Sequence, residues 1–276
     1  MVFFNTDERD LKMLWQVEKG NAISYLVGTT HLFPYSFKKS LNSLIKKAKT
    51  FVLEASVDEA NMKKVIDSGL SKEGMPSLYN ALNEQTIIKI NKELDASFQR
   101  YTPFLFSINT ISPGTIDWLS PMIKGLKPWM AFFNIFAHYL KKRGWKYMMD
   151  VDALKIAKKL DKDIHFLESI DDHIKALDGI PISKIVAFLK KIDESEECVA
   201  KFVDCYTKGY FTELMSSING FPMYSPSIIE ERDPILYNRM KVFLESGDCI
   251  ILVGAFHMAG IQKLLDEDGY RTRKIW

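Results

Sequence analysis

The chain contains one six-residue pattern twice, as LVGTTH at residues 26–31 and as LVGAFH at residues 252–257. In each copy a short apolar run leads to a glycine and, three positions later, to a histidine. This pattern is typical of a buried strand that ends in a loop at its carboxyl end. Ligands of α/β proteins bind at that edge of the sheet. We therefore predict that folding brings both strand ends, with His31 and His257, to one edge of a sheet.

Other apolar runs predict that both ends of the chain contribute strands to this sheet. The predicted strands are 14–17, 22–27, 51–53, 164–167, 249–253 and 270–275. The first two flank the turn Lys19-Gly20-Asn21, which predicts a hairpin. Amphipathic patterns predict helices at 38–49, 152–160, 227–245 and 261–266. A strand, helix and strand then form a βαβ crossover, which places His31 and Glu54 at the same edge.

The order of these elements predicts an α/β fold, which some schemes would call α+β. We expect a single domain over residues 1–276, with a duplicated sheet core at 11–56 and 150–276 and a mostly helical insertion at about 57–149. Within the insertion, aromatic residues of the run 129–140 recur at helical spacing. This spacing predicts a helix packed into the core. The alternatives are a wall of a substrate groove and a surface that touches a membrane or a partner.

Composition excludes several classes of protein. Lysine and arginine number 37 against 35 acidic residues, so no net field attracts nucleic acid. The cysteines Cys198, Cys205 and Cys249 fit neither a disulfide framework nor a cysteine metal site, which is typical of a reducing cytoplasm. No secretory signal pattern opens the chain, and no apolar run reaches the roughly 20 residues of a transmembrane helix. A cytoplasmic location is the prediction.

The histidines and the strand-end acid predict a metal site. His31, Glu54 and His257 are a common ligand set for a divalent transition metal that keeps open positions for water and substrate. Such an ion activates water and polarises a carbonyl, so it supports hydrolysis of amides or esters. Manganese, cobalt, zinc and iron all accept these ligands. Gly28 and Gly254 are expected to allow a sharp turn and to leave room near the ion.

Other interpretations compete with the metal site. Either pattern alone is more typical of a hydrogen-bonded loop histidine, and only the repetition, with an acid after the next strand, favours a ligand pair. Glu54 could instead be the ribose-binding acid of a dinucleotide fold, but of the three expected glycines only Gly28 is present. The remaining histidines have no companions in the sequence, and we predict packing or surface positions for them. They are His138, His165 and His173.

Five segments, in order along the chain, resemble the TraB/PrgY/GumN family, which is related to the Tiki metalloproteases and more distantly to erythromycin-esterase-like and ChaN-like proteins. The segments are YLVGTTHLFP, FVLEAS, MMDVDALKIAKKLDKDIHFLES, SIIEERDPILYNRM and LVGAFHMAGIQKLLDEDGY. The resemblance covers nearly the whole chain. It implies a metal-dependent hydrolase fold with two sheet-bearing halves, like that of erythromycin esterase and ChaN. In one branch of the family it implies a peptidase, and in others a part in peptide-pheromone shutdown.

The resemblance also points to further site residues, namely Asp150 or Asp152, Glu168 and Arg232. Glu168 also ends a predicted strand, in the same context as Glu54. Glu168 could accept a proton from water or orient a ligand imidazole, and Arg232 could stabilise an oxyanion. Alternatively the two form a structural ion pair, or Arg232 is a solvated arginine on the long charged helix predicted at 227–245.

The chain departs from the family pattern at two of these segments. Asp233 stands where the family usually has asparagine, and the residue before Asp150 is not the usual glycine. The resemblance therefore leaves the roles of both positions open.

Three functions follow from these patterns. The first is a metallohydrolase that acts on a peptide or a small amide or ester. The second is a noncatalytic protein that sequesters a peptide in the same groove. The third is a metal-free esterase that uses His31 as a general base. Ordinary serine hydrolysis is not supported, because the chain has no Gly-x-Ser-x-Gly sequence.

Overall fold

The computed structural model describes residues 7–101, 117–218 and 220–275. Within these residues six strands form one mixed sheet that is surrounded by helices, which confirms the predicted α/β fold. The strands are β1 (Leu14–Lys19), β2 (Ala22–Thr29), β3 (Thr50–Leu53), β4 (Asp163–Phe166), β5 (Cys249–Gly254) and β6 (Arg271–Lys274). Part of the predicted helical insertion, residues 102–116, lies outside the described residues.

The strand order is β4-β3-β5-β2-β1-β6. Strands β4, β3, β5 and β2 are parallel to their neighbours in this series, whereas β1 is antiparallel to both β2 and β6. The hairpin of β1 and β2 was predicted from the sequence, and Gly20 at its turn has the positive φ of +57° that such two-residue turns favour. Because four adjacent strands run in one direction, their carboxyl ends meet at one edge of the sheet.

Helices separate and cover these strands. They are α1 (Lys38–Lys47), α2 (Glu59–Ser68), α3 (Leu78–Ala81), α4 (Glu84–Tyr101), α5 (Leu119–Ile123), α6 (Pro128–Lys142), α7 (Met149–Lys159), α8 (Ile170–Asp178), α9 (Ile182–Leu189), α10 (Ser195–Lys208), α11 (Phe211–Ser217), α12 (Asp233–Ser246) and α13 (Met258–Glu267). Short 3₁₀ helices occupy Ile192–Glu194 and Ala255–His257. Helices α2 to α6 follow β3, and α8 to α11 form a second helical run between β4 and α12.

The predicted start of the helix at residue 227 is wrong. Residues 226–232 form turns, and α12 begins at Asp233. Pro234 stands in the first turn of α12, where a residue without an N–H group is tolerated because that N–H would have no helical partner. Arg232 therefore lies in the turn that enters the helix and not on an exposed helical face.

The core forms between the central strands and the aromatic side chains of the helices. Strand β5 is almost completely buried, as expected for a parallel strand covered on both faces. On α6, Trp129, Phe132 and Tyr139 are buried, which confirms the predicted core helix. Phe132 stacks on Phe136, and both rings contact Phe188 and Phe221. This packing joins α6 to α9, and Phe221 in turn contacts Phe256 in the 3₁₀ helix that follows β5.

Two further expectations can be compared with the structure. The three cysteines are free thiols, as their spacing predicted. In the part of the chain that the structure describes, no helix combines the length and apolarity needed to cross a membrane.

Candidate functional site

The carboxyl ends of four neighbouring strands carry the candidate site. Glu168, Glu54, His257 and His31 follow β4, β3, β5 and β2, which are adjacent in that order. The backbone pairing continues beyond the strands, since the Glu168 N–H donates to the Glu54 carbonyl at 2.9 Å and the Glu54 N–H donates to the Leu252 carbonyl at 3.0 Å. The two glutamates are therefore held side by side by main-chain hydrogen bonds.

Arg232 lies between these two glutamates. Its Nη2 donates to Oε1 of Glu54 at 2.6 Å and to Oε1 of Glu168 at 2.5 Å, and its Nε donates to Oε2 of Glu168 at 3.1 Å. All three residues are buried. The alternative of a Glu168–Arg232 ion pair is thus what the structure contains, although it extends to Glu54 as well. The interpretation of Arg232 as a solvated arginine on a charged helix is wrong.

Burial and neighbouring charges shift the pKa values of Arg232 and Glu54 in opposite directions. Burial by itself lowers the pKa of Arg232, but Glu54 and Glu168 outweigh burial and raise that pKa further above its usual range. Burial likewise raises the pKa of Glu54, but Arg232 together with His257, His173 and His31 outweighs burial and holds the pKa of Glu54 well below its usual range. Arg232 and Glu54 therefore stay charged at neutral pH.

His257 is oriented by Asp233 on one side and by Arg232 on the other. Its Nδ1 lies 2.6 Å from Oδ1 of Asp233, and its Nε2 lies 3.2 Å from Nη1 of Arg232. Because a guanidinium can only donate, we assign the ring proton to Nδ1 and the lone pair to Nε2. That Nε2 lies 3.8 Å from Oε1 of Glu54. Burial raises the pKa of Asp233. Asp233, one of the two positions where the chain departs from the family pattern, thus orients His257.

His31 is paired with Asp150 in the same way. Its Nδ1 lies 2.5 Å from Oδ2 of Asp150, in the first turn of α7. The Asp150 carboxylate is buried, whereas 65% of the His31 side chain is exposed. The charge of Asp150 raises the pKa of His31 to about 9. Of the two aspartates that the resemblance suggested, Asp150 contacts the site, whereas Asp152 pairs with Lys38 at 3.3 Å.

The two repeated patterns therefore share an arrangement that the sequence alone does not show. In each of them an aspartate at the start of a helix contacts Nδ1 of the histidine, which leaves Nε2 for another partner. Carboxylate–histidine pairs of this kind orient imidazoles that bind metal ions through the second nitrogen.

A group of donors close enough to hold a metal ion consists of Glu54, Glu168 and His173. One ligand atom from each residue lies within 4.8 Å of the others. The Nδ1 of His173 lies 2.7 Å from Oε1 of Glu168. Two carboxylates and an imidazole are suitable donors for a divalent transition metal, so these residues fit such an ion by donor type and spacing. Nη2 of Arg232, however, contacts both carboxylates.

The prediction that His173 is a packing or surface residue is wrong. Ser169 caps α8 by accepting a hydrogen bond from the Asp172 N–H, which places His173 in the first turn of the helix, directly after the strand end. A capping serine between Glu168 and His173 is the signal that could have identified this proximity. The other two histidines lie outside the group: His165 is partly exposed and contacts Asp163 at 2.9 Å, and His138 is part of α6.

The glycines of the two patterns leave room for neighbouring atoms, and their backbone conformation is not unusual. Neither Gly28 nor Gly254 has a positive φ, so neither uses the left-handed backbone conformation that favours glycine. A Cβ at Gly28 would lie 3.0 Å from Cγ of Met258. At Gly254 the N–H donates to Oε2 of Glu54 at 2.7 Å, and a Cβ would lie 3.4 Å from the same oxygen. Gly254 therefore does leave room beside the site, as predicted.

Sequence reasoning missed one further glycine, Gly260. It lies in α13, and a Cβ there would overlap Oδ2 of Asp233 and lie 2.8 Å from its Cγ. Glycine in a helix interior is unfavourable by about 1 kcal/mol relative to alanine. This unfavourable residue within a helix was the feature of the sequence that could have identified Gly260. Gly260 makes room for the carboxylate that orients His257.

Comparison with known proteins gives one match. The model of the TraB/PrgY/gumN family matches residues 13–274, a span that includes every site residue described above. Searches of curated proteins and of solved structures find no match.

Proposed function

Because the chain belongs to the TraB/PrgY/gumN family, we propose that it is a metal-dependent hydrolase that cleaves peptide or amide bonds. The observation that carries the proposal is the group of buried Glu54 and Glu168 with partly buried His173 at the carboxyl edge of the sheet. The Nε2 of His257 lies 3.8 Å from the same Glu54. Donors of these types at one sheet edge are suited to holding a divalent cation.

Glu54 belongs to two possible ligand sets. One is the set predicted from the sequence, with His31 and His257, and the other is the set that geometry groups, with Glu168 and His173. Manganese, cobalt, zinc and iron accept the donor types of either set. Among the described residues, however, only the second set has ligand atoms that all lie within 4.8 Å of one another. When bound, the cation would supply an activated water and polarise the scissile carbonyl.

The residues around the cation would have separate roles. If the first set holds the cation, Glu168 would accept the proton of the attacking water, and the imidazole of His173, 2.7 Å from Glu168, would receive it or share it. Arg232 would donate hydrogen bonds to the oxyanion that develops on the substrate. Asp233 would hold His257 with its Nε2 toward the site.

The test begins with chelated protein reloaded separately with Mn²⁺, Co²⁺, Zn²⁺ or Fe²⁺. Cleavage of a mixed peptide library is followed by mass spectrometry. We expect cleavage with at least one metal, and a loss of roughly 100-fold or more in Glu54→Gln, which keeps the side-chain shape but removes the charge. His165→Ala is the matched control, since this imidazole lies on β4 outside the group.

Two outcomes contradict the proposal. Full activity in Glu54→Gln would remove Glu54 from the reaction. Peptide binding without cleavage under every metal would favour the noncatalytic sequestering protein instead.

The Asp150–His31 pair favours a second candidate, the metal-free esterase. Its imidazole is largely exposed and is oriented by a buried carboxylate, so a substrate can reach it. In this case ester hydrolysis survives exhaustive chelation and is lost in both His31→Ala and Asp150→Ala. Because Asp150 raises the pKa of His31 to about 9, the activity should rise as the pH approaches that value and the imidazole loses its proton. Loss of all activity on chelation excludes this candidate.

A further inference from the structure

The buried carboxylates of the candidate metal group already hold a cation, the guanidinium of Arg232. We infer that Arg232 and a divalent cation exclude each other from Glu54 and Glu168, so that metal uptake requires the guanidinium to leave. This inference rests on the proposed function, because it concerns how the same site takes up its metal.

The first argument is that both cations use the same oxygen atoms. Nη2 of Arg232 lies 2.6 Å from Oε1 of Glu54 and 2.5 Å from Oε1 of Glu168. A metal ion at the usual distance of about 2.0 to 2.2 Å from either oxygen would lie within about 4.8 Å of Nη2. Two cations at that separation repel strongly in a buried site, where water screens them poorly.

The second argument is that Arg232 contacts the imidazoles as well. Its Nη1 lies 3.2 Å from Nε2 of His257, and its Nη2 lies 3.4 Å from Nδ1 of His173. Nε2 is the nitrogen that His257 would use for a metal, because Asp233 contacts its Nδ1. The guanidinium thus engages both carboxylates and both nearby imidazoles at once.

The third argument is that this competition cannot be relieved by loss of a proton. A guanidinium stays charged in proteins at any ordinary pH. The side chain must therefore move.

The position of Arg232 in the chain allows that movement. It lies at the end of the turns at 226–232 and immediately before α12, whereas Glu54 is held independently by the Gly254 N–H at 2.7 Å. Glu54 can therefore stay in place when the guanidinium leaves. Arg232 acts as the internal counter-cation of the metal-free protein.

The test measures Mn²⁺ affinity by isothermal titration calorimetry on chelated, full-length protein. Arg232→Met keeps the length of the side chain and removes its charge. We expect this variant to bind Mn²⁺ at least tenfold more tightly than the wild type. Arg273→Met is the matched control, because Arg273 is exposed on β6 at the opposite edge of the sheet, where its Nη2 donates to Gln16 at 3.3 Å; the Mn²⁺ affinity of this variant should not change.

Equal or weaker Mn²⁺ binding by folded Arg232→Met overturns the inference, and so does the absence of Mn²⁺ binding in both proteins. If Arg232→Met does not fold, NMR of the Arg232 Nε–H group in the wild type replaces it. Zinc binding should shift that signal and expose it to solvent exchange; zinc binding with an unchanged signal overturns the inference.

Failure of the inference differs from failure of the proposed function. Tight Mn²⁺ binding by Arg232→Met without peptide cleavage by the wild type would leave the inference standing and remove the hydrolase. If the wild type cleaves peptides in a metal-dependent way but Arg232→Met does not change the Mn²⁺ affinity, the hydrolase stands and the inference fails.

Discussion

Gly260→Ala is the substitution for which the structure makes the sharpest prediction. The added methyl group would overlap Oδ2 of Asp233 and lie 2.8 Å from its Cγ, where nonbonded carbons prefer about 3.5 to 4.0 Å. The carboxylate must therefore retreat by about 0.7 Å or more. Its hydrogen bond to His257, now 2.6 Å long, has little slack for such a shift.

Three contributions set the expected loss of stability. Overpacking a buried site costs about 1 to 3 kcal/mol. Loss of a hydrogen bond to a charged group costs about 1.5 to 3 kcal/mol. Replacing glycine by alanine within a helix stabilises the protein by about 1 kcal/mol and offsets part of these costs. We expect Gly260→Ala to lower the free energy of unfolding by roughly 2 to 5 kcal/mol.

The assay is urea unfolding of a double-mutant cycle with Asp233→Ala. Without the carboxylate, the methyl group meets no side-chain oxygen, so Gly260→Ala should be neutral or stabilising by up to about 1 kcal/mol in that background. An equal cost of Gly260→Ala in both backgrounds, or no cost in either, would refute the reasoning.

Three further predictions concern the residues around His31. Asp150→Asn should lower the pKa of His31 from about 9 toward its ordinary 6.5, measured by NMR titration of the ring; a value that stays near 9 would assign the shift to another group. Since the folded state raises this pKa, the pair stabilises the protein fully below pH 6.5 and loses that effect as the pH rises through about 9. The urea midpoints of wild type and Asp150→Asn should therefore converge over this window, and a constant gap would contradict the linkage. Tyr206→Phe removes the hydroxyl that donates to the Gly28 carbonyl at 2.6 Å and should cost roughly 1 to 3 kcal/mol in urea unfolding; an unchanged midpoint would show that this buried carbonyl has another partner.

The predictions that agree with the structure rest on local patterns. A run of apolar residues followed by a loop identifies a strand end, and the crossover rule then places Glu54 and His31 at the same edge of the sheet. Because strand direction follows from these rules, the shared edge of His31, Glu54, Glu168 and His257 could be predicted without coordinates.

The predictions that differ involve competing local signals. The apolar residues Ile228 and Ile229 extended the helical pattern too far toward the amino terminus. Pro234 marks the actual first turn of α12. It is the stronger signal because proline has no backbone N–H and so cannot donate a hydrogen bond to a preceding helical turn. The error mattered, because it placed Arg232 on a solvent-exposed helix.

The sequence by itself determined the strands, their common edge and the kinds of side chain gathered there. Only the tertiary structure decided the partner of each side chain: Asp150 for His31, Asp233 for His257, and Arg232 between the two glutamates. The physical reason is that periodicity and turn chemistry act over a few residues. These contacts instead depend on how α7 and α12 pack beside the sheet, and the contact between His31 and Asp150 spans 119 positions of the chain.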